Sequence, residues 1–332
     1  MHPRQVLLGA QAGATRLPVC DHYSGVEARM VKSLALQAAY AERLGACVFD
    51  VTLDCEDGAP AGHEAEHAAL VADLVSGLDF SSPVTPRVGV RVHPVDHAAF
   101  APDIGHIVGR VGARLSHVMV PKVERPEDVH LAVQALDAAG GVALPLHVLI
   151  ESPYAVHRAF EIAAHPRVQS LSFGLMDFVS AHGGAIPSDG MGVSGQFSHP
   201  LVLRAKVDLA SACHAHGKVP SHCVVTEFKD RLAIKTAATR AARELGYTRM
   251  WSIHPDQIDP ILEAFAPSLS EVAEAAEIVL AAVAADWAPI AHAGRLHDRA
   301  SYRYYWQVLE RAHQTGVDMP TPLRPYFAPG QG

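Results

Sequence analysis

The chain has 332 residues, of which 49% are hydrophobic and 19% are charged, so it can bury the core of one large barrel with an appendage. Its net charge of −8 and the lack of Lys/Arg runs argue against nucleic acid as a partner. The sequence has no apolar run of the roughly 18 residues that a membrane span needs. The N-terminus, MHPRQVLLGA, does not resemble a signal peptide. Five scattered cysteines without a CxxC pair indicate reduced thiols and a cytoplasmic protein.

Strand-like and helix-like segments alternate along most of the chain. The pattern predicts strands at 5–10, 47–53, 87–93, 116–121, 145–150, 169–174, 217–221 and 250–254, the strand at 217–221 having the weakest signal. Predicted helices between them include 26–44, 126–139, 153–164, 200–216 and 229–245. Eight strand–helix units indicate a parallel sheet closed into a TIM (β/α)8 barrel. A doubly wound open sheet is the alternative, although GAQAGA at 9–14 lacks the GxGxxG spacing.

The pattern changes after residue 254. Ser268 and Glu271 form a capping box that opens a helix, and an aromatic-rich helix follows at Tyr302 to Ala312. The Pro-rich tail 320–329 is predicted to be a surface strap. We therefore predict a catalytic barrel at 1–288 and a C-terminal helical lid and tail at 289–332.

Two acids follow strand-like apolar runs: Glu151 in LPLHVLIESP and Asp177 in VQSLSFGLMDF. In a (β/α)8 barrel the C-terminal ends of the strands carry the chemistry. Two carboxylates on consecutive strands provide the hard oxygen ligands that Mg²⁺ prefers. Either acid alone is better explained as a solvated loop residue or a helix cap. Together they predict a magnesium site.

Further charged residues follow the other predicted strands: Glu56, Asp57, Arg91, Lys122, Glu124 and His254. Clustered acids repel one another and raise each other's pKa, and a divalent ion together with Arg91 and Lys122 relieves that repulsion. Such a site suits carbon–carbon cleavage that releases an oxoacid and an enolate. Alternatives remain for single residues. Asp57 could brace a loop, Lys122 could form a Schiff base in a metal-free aldolase, and His254 is better explained as a structural contact at the rim.

The chain resembles the HpcH/HpaI aldolase and citrate lyase family, especially its citrate lyase beta-subunit and malyl-CoA lyase branch. The similar stretches are LDCEDGAP, VRVHP, MVPKVERPEDV, LIESP with VHRAFEIAAHPRVQSLSFGLMDF, WSIHPDQIDPILEAFAPS and GRLHDRAS. They cover nearly the whole chain in order.

The resemblance implies Mg²⁺ held by Glu151 and Asp177, with Glu56 and Asp57 beside the metal waters. It implies that Arg91 contacts the oxoacid and steadies the enolate. We expect Lys122 and Pro153 also to contact the substrate. The acid of the GRL-x-D segment, Asp298, would act on the site of a neighbouring subunit, which requires a homo-oligomer such as a trimer or hexamer.

Coenzyme A recognition is less clear from the sequence. Relatives open with a strand that runs into Pro-Gly and a basic residue that helps to hold coenzyme A, whereas we align LLGAQAGATRLP there. After the paired acids this chain has HEAEH, with Glu64 and His67, where relatives carry Lys and then Ala-Arg. Arg4 and Arg16 are the N-terminal cations that could meet a phosphate, and a surface role is the alternative for each.

These observations predict a Mg²⁺-dependent carbon–carbon lyase that cleaves a β-hydroxy acid or its acyl-CoA thioester. One alternative is an acyl-CoA thioester hydrolase or a malate-synthase-like condensing enzyme at the same site. Another is a non-catalytic barrel that binds an oxoacid or acyl-CoA.

Overall fold

Eight parallel strands form a closed barrel in this computed structural model, which describes residues 2–9 and 16–327. Each strand pairs with the next along the chain, and β1 also pairs with β8, which closes the ring. The strands are β1 (Cys20–Ser24), β2 (Phe49–Asp54), β3 (Val88–Arg91), β4 (His117–Val120), β5 (Leu146–Ile150), β6 (Val168–Phe173), β7 (Val219–His222) and β8 (Arg249–Ser252). The predicted TIM barrel is thus confirmed, including the strand with the weakest signal, β7.

Helices alternate with these strands, as parallel pairing requires a crossover connection. Those of the barrel region are α2 (Glu27–Leu44), α3 (Glu64–Ser76), α4 (Phe100–Val111), α5 (Pro126–Ala138), α6 (Pro153–His157), α7 (Ala159–Ala163), α8 (Leu175–Ser180), α9 (Pro200–Ala215), α10 (Arg231–Glu244) and α11 (Ile258–Phe265). The helix predicted at 153–164 is divided at Arg158 into α6 and α7. Within the described part of the chain, no helix has the length and apolar character to cross a membrane.

The first strand was predicted in the wrong place. Residues 5–10 were expected to form it, but Pro3–Leu8 is a helix, α1; residue 10 and most of the GAQAGA segment lie outside the described residues. Pro3 occupies the first helical turn, His2 Nδ1 accepts from the Arg4 N–H, and Leu7 is buried. The true β1, Cys20–Ser24, carries polar residues at four of its five positions, so it lacks the apolar run that would mark it.

The remaining elements are α12 (Leu269–Ala284), the antiparallel pair β9 (Ile290–His292) and β10 (Arg295–His297), and α13 (Arg299–Gln314). The predicted capping box of Ser268 and Glu271 opens α12. The tail forms a 3-10 helix, Thr321–Phe327, where a strap was expected; residues 328 and 329 of that segment lie outside the description.

The chain divides into two compact units, with a boundary between Ala264 and Phe265. One unit contains the barrel, and the other combines α1 with α12, α13 and the tail. We had predicted the boundary at 288/289. α12 groups with the C-terminal segment because Val279 packs in one apolar cluster with Tyr302, Trp306 and Leu7.

The barrel interior changes character along the strands. Polar residues occupy their N-terminal ends: Asp21, Asp50, His117, His147 and Arg249. Farther along, the apolar side chains Met119, Leu149 and Trp251 form a buried cluster. Charged residues follow at the C-terminal ends, as the sequence predicted. Since parallel strands all point the same way, the barrel has one polar layer at each end.

Candidate active site

Glu151 follows directly after β5, where the buried run LHVLI ends. Ser152 caps the next helix by accepting from the Ala155 N–H, and Pro153 begins that helix. The Glu151 side chain is 6% exposed and packs against Gly174, where an added Cβ would lie 2.5 Å from Glu151 Cγ. The backbone N–H of Lys122 donates to Glu151 Oε2 at 3.0 Å. The carboxylate is therefore held at the mouth of the barrel by close backbone contacts.

Burial, together with the charges of Asp177 and Glu56, raises the pKa of Glu151 to about 8 against the opposing effect of Arg91 and Lys122. Asp177 lies in the first turn of α8, directly after β6. The structure thus brings the two predicted metal ligands close enough for electrostatic repulsion between them. Paired oxygen donors with excess negative charge fit a hard divalent cation. This donor set can hold Mg²⁺.

Arg91 ends β3 and is 5% exposed. Its Nε donates to Asp54 Oδ1 at 2.7 Å, its Nη2 donates to Asp54 Oδ2 at 2.9 Å, and its Nη1 lies 2.8 Å from Glu56 Oε2. Burial lowers the pKa of Arg91 to about 10, while Glu151 and Asp177 raise it. The guanidinium group therefore stays charged and fixed in orientation. Two of its five N–H groups remain for a ligand after these three contacts.

Glu56 links the two predicted cations. Its carboxylate contacts Arg91 Nη1 through one oxygen and Lys122 Nζ through the other. Burial raises the pKa of Glu56, although its hydrogen bond from Lys122 opposes that effect. Lys122 Nζ also lies 3.4 Å from Asp57 Oδ2, and Asp57 is exposed. The hydrogen bond with Glu56 and the nearby acids outweigh desolvation and raise the pKa of Lys122, which disfavours the amine of a Schiff-base lysine.

Sequence reasoning missed three residues at this mouth. Asp54 holds Arg91 through two hydrogen bonds. The ring of Tyr23 lies under Arg91, with Arg91 Cζ 4.5 Å from the ring centroid. The same ring stacks on Trp251, with 5.5 Å between the two ring centroids. A signal was present, because polar residues at every second position of a buried strand face the barrel interior. Asp54 in β2 and Tyr23 in β1 are at such positions.

A cavity of about 580 Å³ adjoins Tyr23. It is lined by the end of β1, the start of α2 and the loops after β1, β2, β7 and β8: His22, Tyr23, Ser24, Gly25, Val26, Arg29, Lys32, Ser33, Gly58, Phe228, Ile253, His254 and Pro255. The loops after β1 and β2 meet so closely that a Cβ on Gly25 would lie 2.3 Å from the Gly58 carbonyl carbon. Arg29 and Lys32 are exposed and carry the positive charge. This basic cavity can accept an anionic ligand.

His254 was expected to be structural, and its contacts agree. Its Nδ1 accepts from the Asp256 N–H, and the residue caps the 3-10 helix Pro255–Gln257. Pro153 lines a different cavity, of about 300 Å³, together with His157, Phe178 and His182. Its predicted contact with substrate stays a prediction.

The other predicted residues, Asp298, Arg4 and Arg16, belong to the second compact unit, which combines both ends of the chain. Asp298 caps α13, and its Oδ1 accepts from the N–H groups of Ala300 and Ser301. Arg16 forms an ion pair with Glu310, and burial lowers the pKa of Arg16 to about 10. Arg4 lies in α1. It remains a prediction that Asp298 acts on the site of another subunit. It also remains a prediction that Arg4 and Arg16 contact coenzyme A.

Asp21, His117 and His147 also bring metal-ligand atoms within 4.8 Å of one another, at the N-terminal end of the barrel. Two imidazoles suit a transition metal better than Mg²⁺. Moreover, Arg249 Nη2 lies 3.0 Å from Asp21 Oδ2, so the carboxylate already has a cationic partner. This cluster is separate from the acids at the mouth, and it is better explained as a buried polar layer.

Comparison with known proteins agrees with this geometry. Residues 30–255 match the model of the HpcH/HpaI aldolase/citrate lyase family. The chain is 30% identical to L-malyl-CoA/beta-methylmalyl-CoA lyase of Cereibacter sphaeroides over 293 residues, which are 82% of this chain and 90% of that protein. It is 28% identical to malyl-CoA/beta-methylmalyl-CoA/citramalyl-CoA lyase of Chloroflexus aurantiacus, over 76% of this chain and 78% of that one.

Solved structures show the same relationship. A citrate lyase of Burkholderia xenovorans is 48% identical, with a TM-score of 0.80 and coverage of 99% of both chains. The CitE protein of Mycobacterium tuberculosis, in complex with magnesium, acetoacetate and coenzyme A, is 23% identical, with a TM-score of 0.65 over 89% of this chain and 98% of that one. At that identity the likeness shows the fold alone. The chain is therefore a carbon–carbon lyase that belongs to the HpcH/HpaI aldolase/citrate lyase family.

Proposed function

We propose that this protein is a Mg²⁺-dependent lyase that cleaves a β-hydroxyacyl-CoA of the malyl-CoA type into an oxoacid and an acyl-CoA. The supporting observation is the buried Glu151 with the half-buried Asp177 beside a fixed Arg91, together with a basic cavity adjoining Tyr23. The relatives named as malyl-CoA lyases support the substrate class. The reverse reaction is a Claisen-type condensation at the same site.

Glu151 and Asp177 would hold the Mg²⁺ ion. When bound, the ion supplies a Lewis acid that polarises the oxygens of the oxoacid portion. Burial and the neighbouring Asp177 raise the pKa of Glu151, so a bound cation would offset the cost of ionising this carboxyl. Lys122 contributes its backbone N–H to Glu151, and its ammonium group to Glu56 and Asp57. These contacts orient the acids toward the substrate.

In the cleavage direction, a base takes the proton of the substrate hydroxyl and the adjacent carbon–carbon bond breaks. The electron pair of that bond moves onto the acyl group, which becomes an enolate. Arg91 offers its remaining N–H groups to the developing negative charge, because Asp54 and Glu56 hold its other donors. A proton added to the enolate carbon then yields the acyl-CoA.

We assign that proton to Asp298 of a neighbouring subunit. Asp298 caps a helix whose capping contacts use Oδ1. The second carboxylate oxygen is therefore available for acid–base chemistry. This assignment requires a homo-oligomer, and dilution below its dissociation constant should abolish activity.

The basic cavity is our candidate site for the coenzyme A portion. It contains Arg29 and Lys32, which lie on α2 immediately after β1. Because β1 lies at Cys20–Ser24 and not at residues 5–10, the cations next to it are Arg29 and Lys32, whereas the sequence predicted Arg4 and Arg16 for this role. Arg29→Gln and Lys32→Gln should each raise the KM for thioester substrates several-fold. Arg43→Gln, on the same helix outside the cavity lining, is the matched control.

The decisive experiment supplies purified protein and Mg²⁺ with malyl-CoA, citramalyl-CoA, citryl-CoA and the corresponding free hydroxy acids. Oxoacid is measured as a phenylhydrazone and free coenzyme A with a thiol reagent. We expect the protein to release the oxoacid without releasing an equal amount of free coenzyme A thiol. Thiol without oxoacid would instead identify a thioester hydrolase. Binding without either product would identify a non-catalytic barrel.

A further inference from the structure

Three aromatic and cationic groups form a column at the mouth of the barrel. Trp251 of β8 stacks on Tyr23 of β1 with an interplanar angle of 14°, and Arg91 of β3 lies over Tyr23. Trp251 Nε1 donates to Ser172 Oγ at 3.0 Å, which fixes the first ring. Arg91 is fixed by Asp54 and Glu56. Tyr23 is therefore held from both faces, and its position is tied to that of the guanidinium group.

The hydroxyl of Tyr23 is the polar group of this column without a partner. Its oxygen is buried and has no hydrogen-bond partner among the residues that the structure describes. A buried hydroxyl without a partner destabilises the folded protein, and Phe would fill the same stacked position without that cost. The hydroxyl thus points to a partner that the protein acquires on binding.

The surroundings of Tyr23 indicate where that partner comes from. Tyr23 lines the basic cavity that contains Arg29 and Lys32. A Cβ added to Gly58 would lie 3.6 Å from Tyr23 Cε1, so the ring edge faces the loop that carries Glu56 and Asp57. Since Tyr23 both lines the cavity and contacts Arg91, we expect a thioester that extends from the cavity to Arg91 to lie beside this ring.

We propose that the Tyr23 hydroxyl donates a hydrogen bond to the acyl oxygen that becomes the enolate oxygen, so that Tyr23 and Arg91 form a two-donor site for it. This inference rests on the proposed lyase function and adds a catalytic residue to it. The hydroxyl keeps its proton throughout. Its contribution grows as charge accumulates on the oxygen, since a hydrogen bond to an oxyanion is stronger than one to a neutral carbonyl.

Tyr23→Phe tests the proposal, because it removes one oxygen and keeps the stacked ring. We expect kcat for the preferred thioester to fall by between about 10- and 100-fold, with Arg91 still present as the second donor. KM should change less than about threefold, because the interaction strengthens in the transition state. The melting temperature should stay the same or rise. Tyr40→Phe is the control, since Tyr40 Oη donates to Asp259 outside the cavity lining.

A kcat within twofold of wild type overturns the assignment, as does an increase in KM alone. A fall in kcat that accompanies a lower melting temperature also overturns it, because that combination indicates a structural role. If the wild-type protein releases no oxoacid, the proposed function fails separately. The assignment then depends on tyrosine difference absorbance during titration with acetyl-CoA. A signal lost in Tyr23→Phe and kept in Tyr40→Phe supports it, and any other pattern contradicts it.

Discussion

The two ends of the barrel both bury charged side chains, but they balance them differently. At the N-terminal end, Asp21 and Asp50 share Arg249, and Asp50 also accepts from Arg87 at 2.6 Å. Two acids therefore meet two cations. At the C-terminal end five acids surround two cations, Arg91 and Lys122; the acids are Asp54, Glu56, Asp57, Glu151 and Asp177.

The pKa shifts follow this difference in balance. Arg87 and Arg249 overcome burial and lower the pKa of Asp50, whereas burial and like charges raise the pKa of Glu151 to about 8. A balanced set of buried charges stabilises one arrangement of the strands. An unbalanced set costs stability and is relieved by a bound cation. The comparison separates residues that hold the barrel together from residues that bind.

Removal of the central cation at the balanced end should have the largest effect. Arg249→Met leaves Asp21 and Asp50 buried with too little positive charge, which typically costs about 3–5 kcal/mol. The free energy of unfolding, from urea denaturation, measures this loss. Arg110→Met is the control, because Arg110 pairs with the exposed Asp73 and should change stability by less than about 1 kcal/mol. Equal losses in both variants would refute the distinction between the ends.

The opposite result is expected at the unbalanced end. Glu151→Gln replaces a buried carboxyl that is costly to ionise beside Asp177 with a neutral side chain of the same shape, so the protein should be as stable as wild type or more stable. Mg²⁺ affinity should fall by about tenfold or more, and lyase activity with it. Calorimetric Mg²⁺ titration and thermal melting measure the two effects. Unchanged Mg²⁺ binding would exclude Glu151 as a ligand. Glu161→Gln, at an exposed position, is the control.

Acidic pH should destabilise the protein through the buried histidines at the N-terminal end of the barrel. Burial lowers the pKa of His117 to about 4 and lowers that of His147, and the two rings stack at 3.8 Å. Since the unfolded chain binds these protons near pH 6.5 and the folded chain does not, stability is full above pH 6.5 and falls toward pH 4. The slope should be about 1.4 kcal/mol per pH unit for each histidine.

His117→Gln should reduce the slope of stability against pH by about 1.4 kcal/mol per pH unit, the contribution of one histidine. Urea denaturation between pH 4 and 7 tests this, with His106→Gln as an exposed control. The idea fails if both variants keep the wild-type slope.

The smallest effect is expected at the exposed acid of the mouth. Asp57 lies 3.4 Å from Lys122 Nζ, and its side chain is 61% exposed. Asp57→Asn should therefore change stability by less than about 0.5 kcal/mol and activity by only a few-fold. Steady-state kinetics and thermal melting measure both. A loss of activity as large as that of Glu151→Gln would show that Asp57 has a direct catalytic role.

Much of the site could be predicted because charged residues that follow apolar strand runs in a parallel barrel must lie at the same end of it. Glu56, Arg91, Lys122, Glu151 and Asp177 were identified on that ground, and the structure places them together. Tyr23 was missed because β1 has polar residues at four of its five positions, which resembles a loop in sequence. Asp54 was missed because it is the last residue of β2, whereas the predicted acids, Glu56 and Asp57, follow that strand.

The amino-acid sequence by itself determined the barrel, seven of its eight strands and the end at which the chemistry lies. Hydrophobic periodicity and the one-directional course of parallel strands are sufficient for those conclusions. Only the tertiary structure decided which partner each charge has: Arg91 is held by Asp54, Glu56 joins Arg91 to Lys122, and Tyr23 lies beneath the guanidinium group. Such contacts join β1, β2 and β3 with the loop after β4, and they depend on closure and register rather than on spacing along the chain.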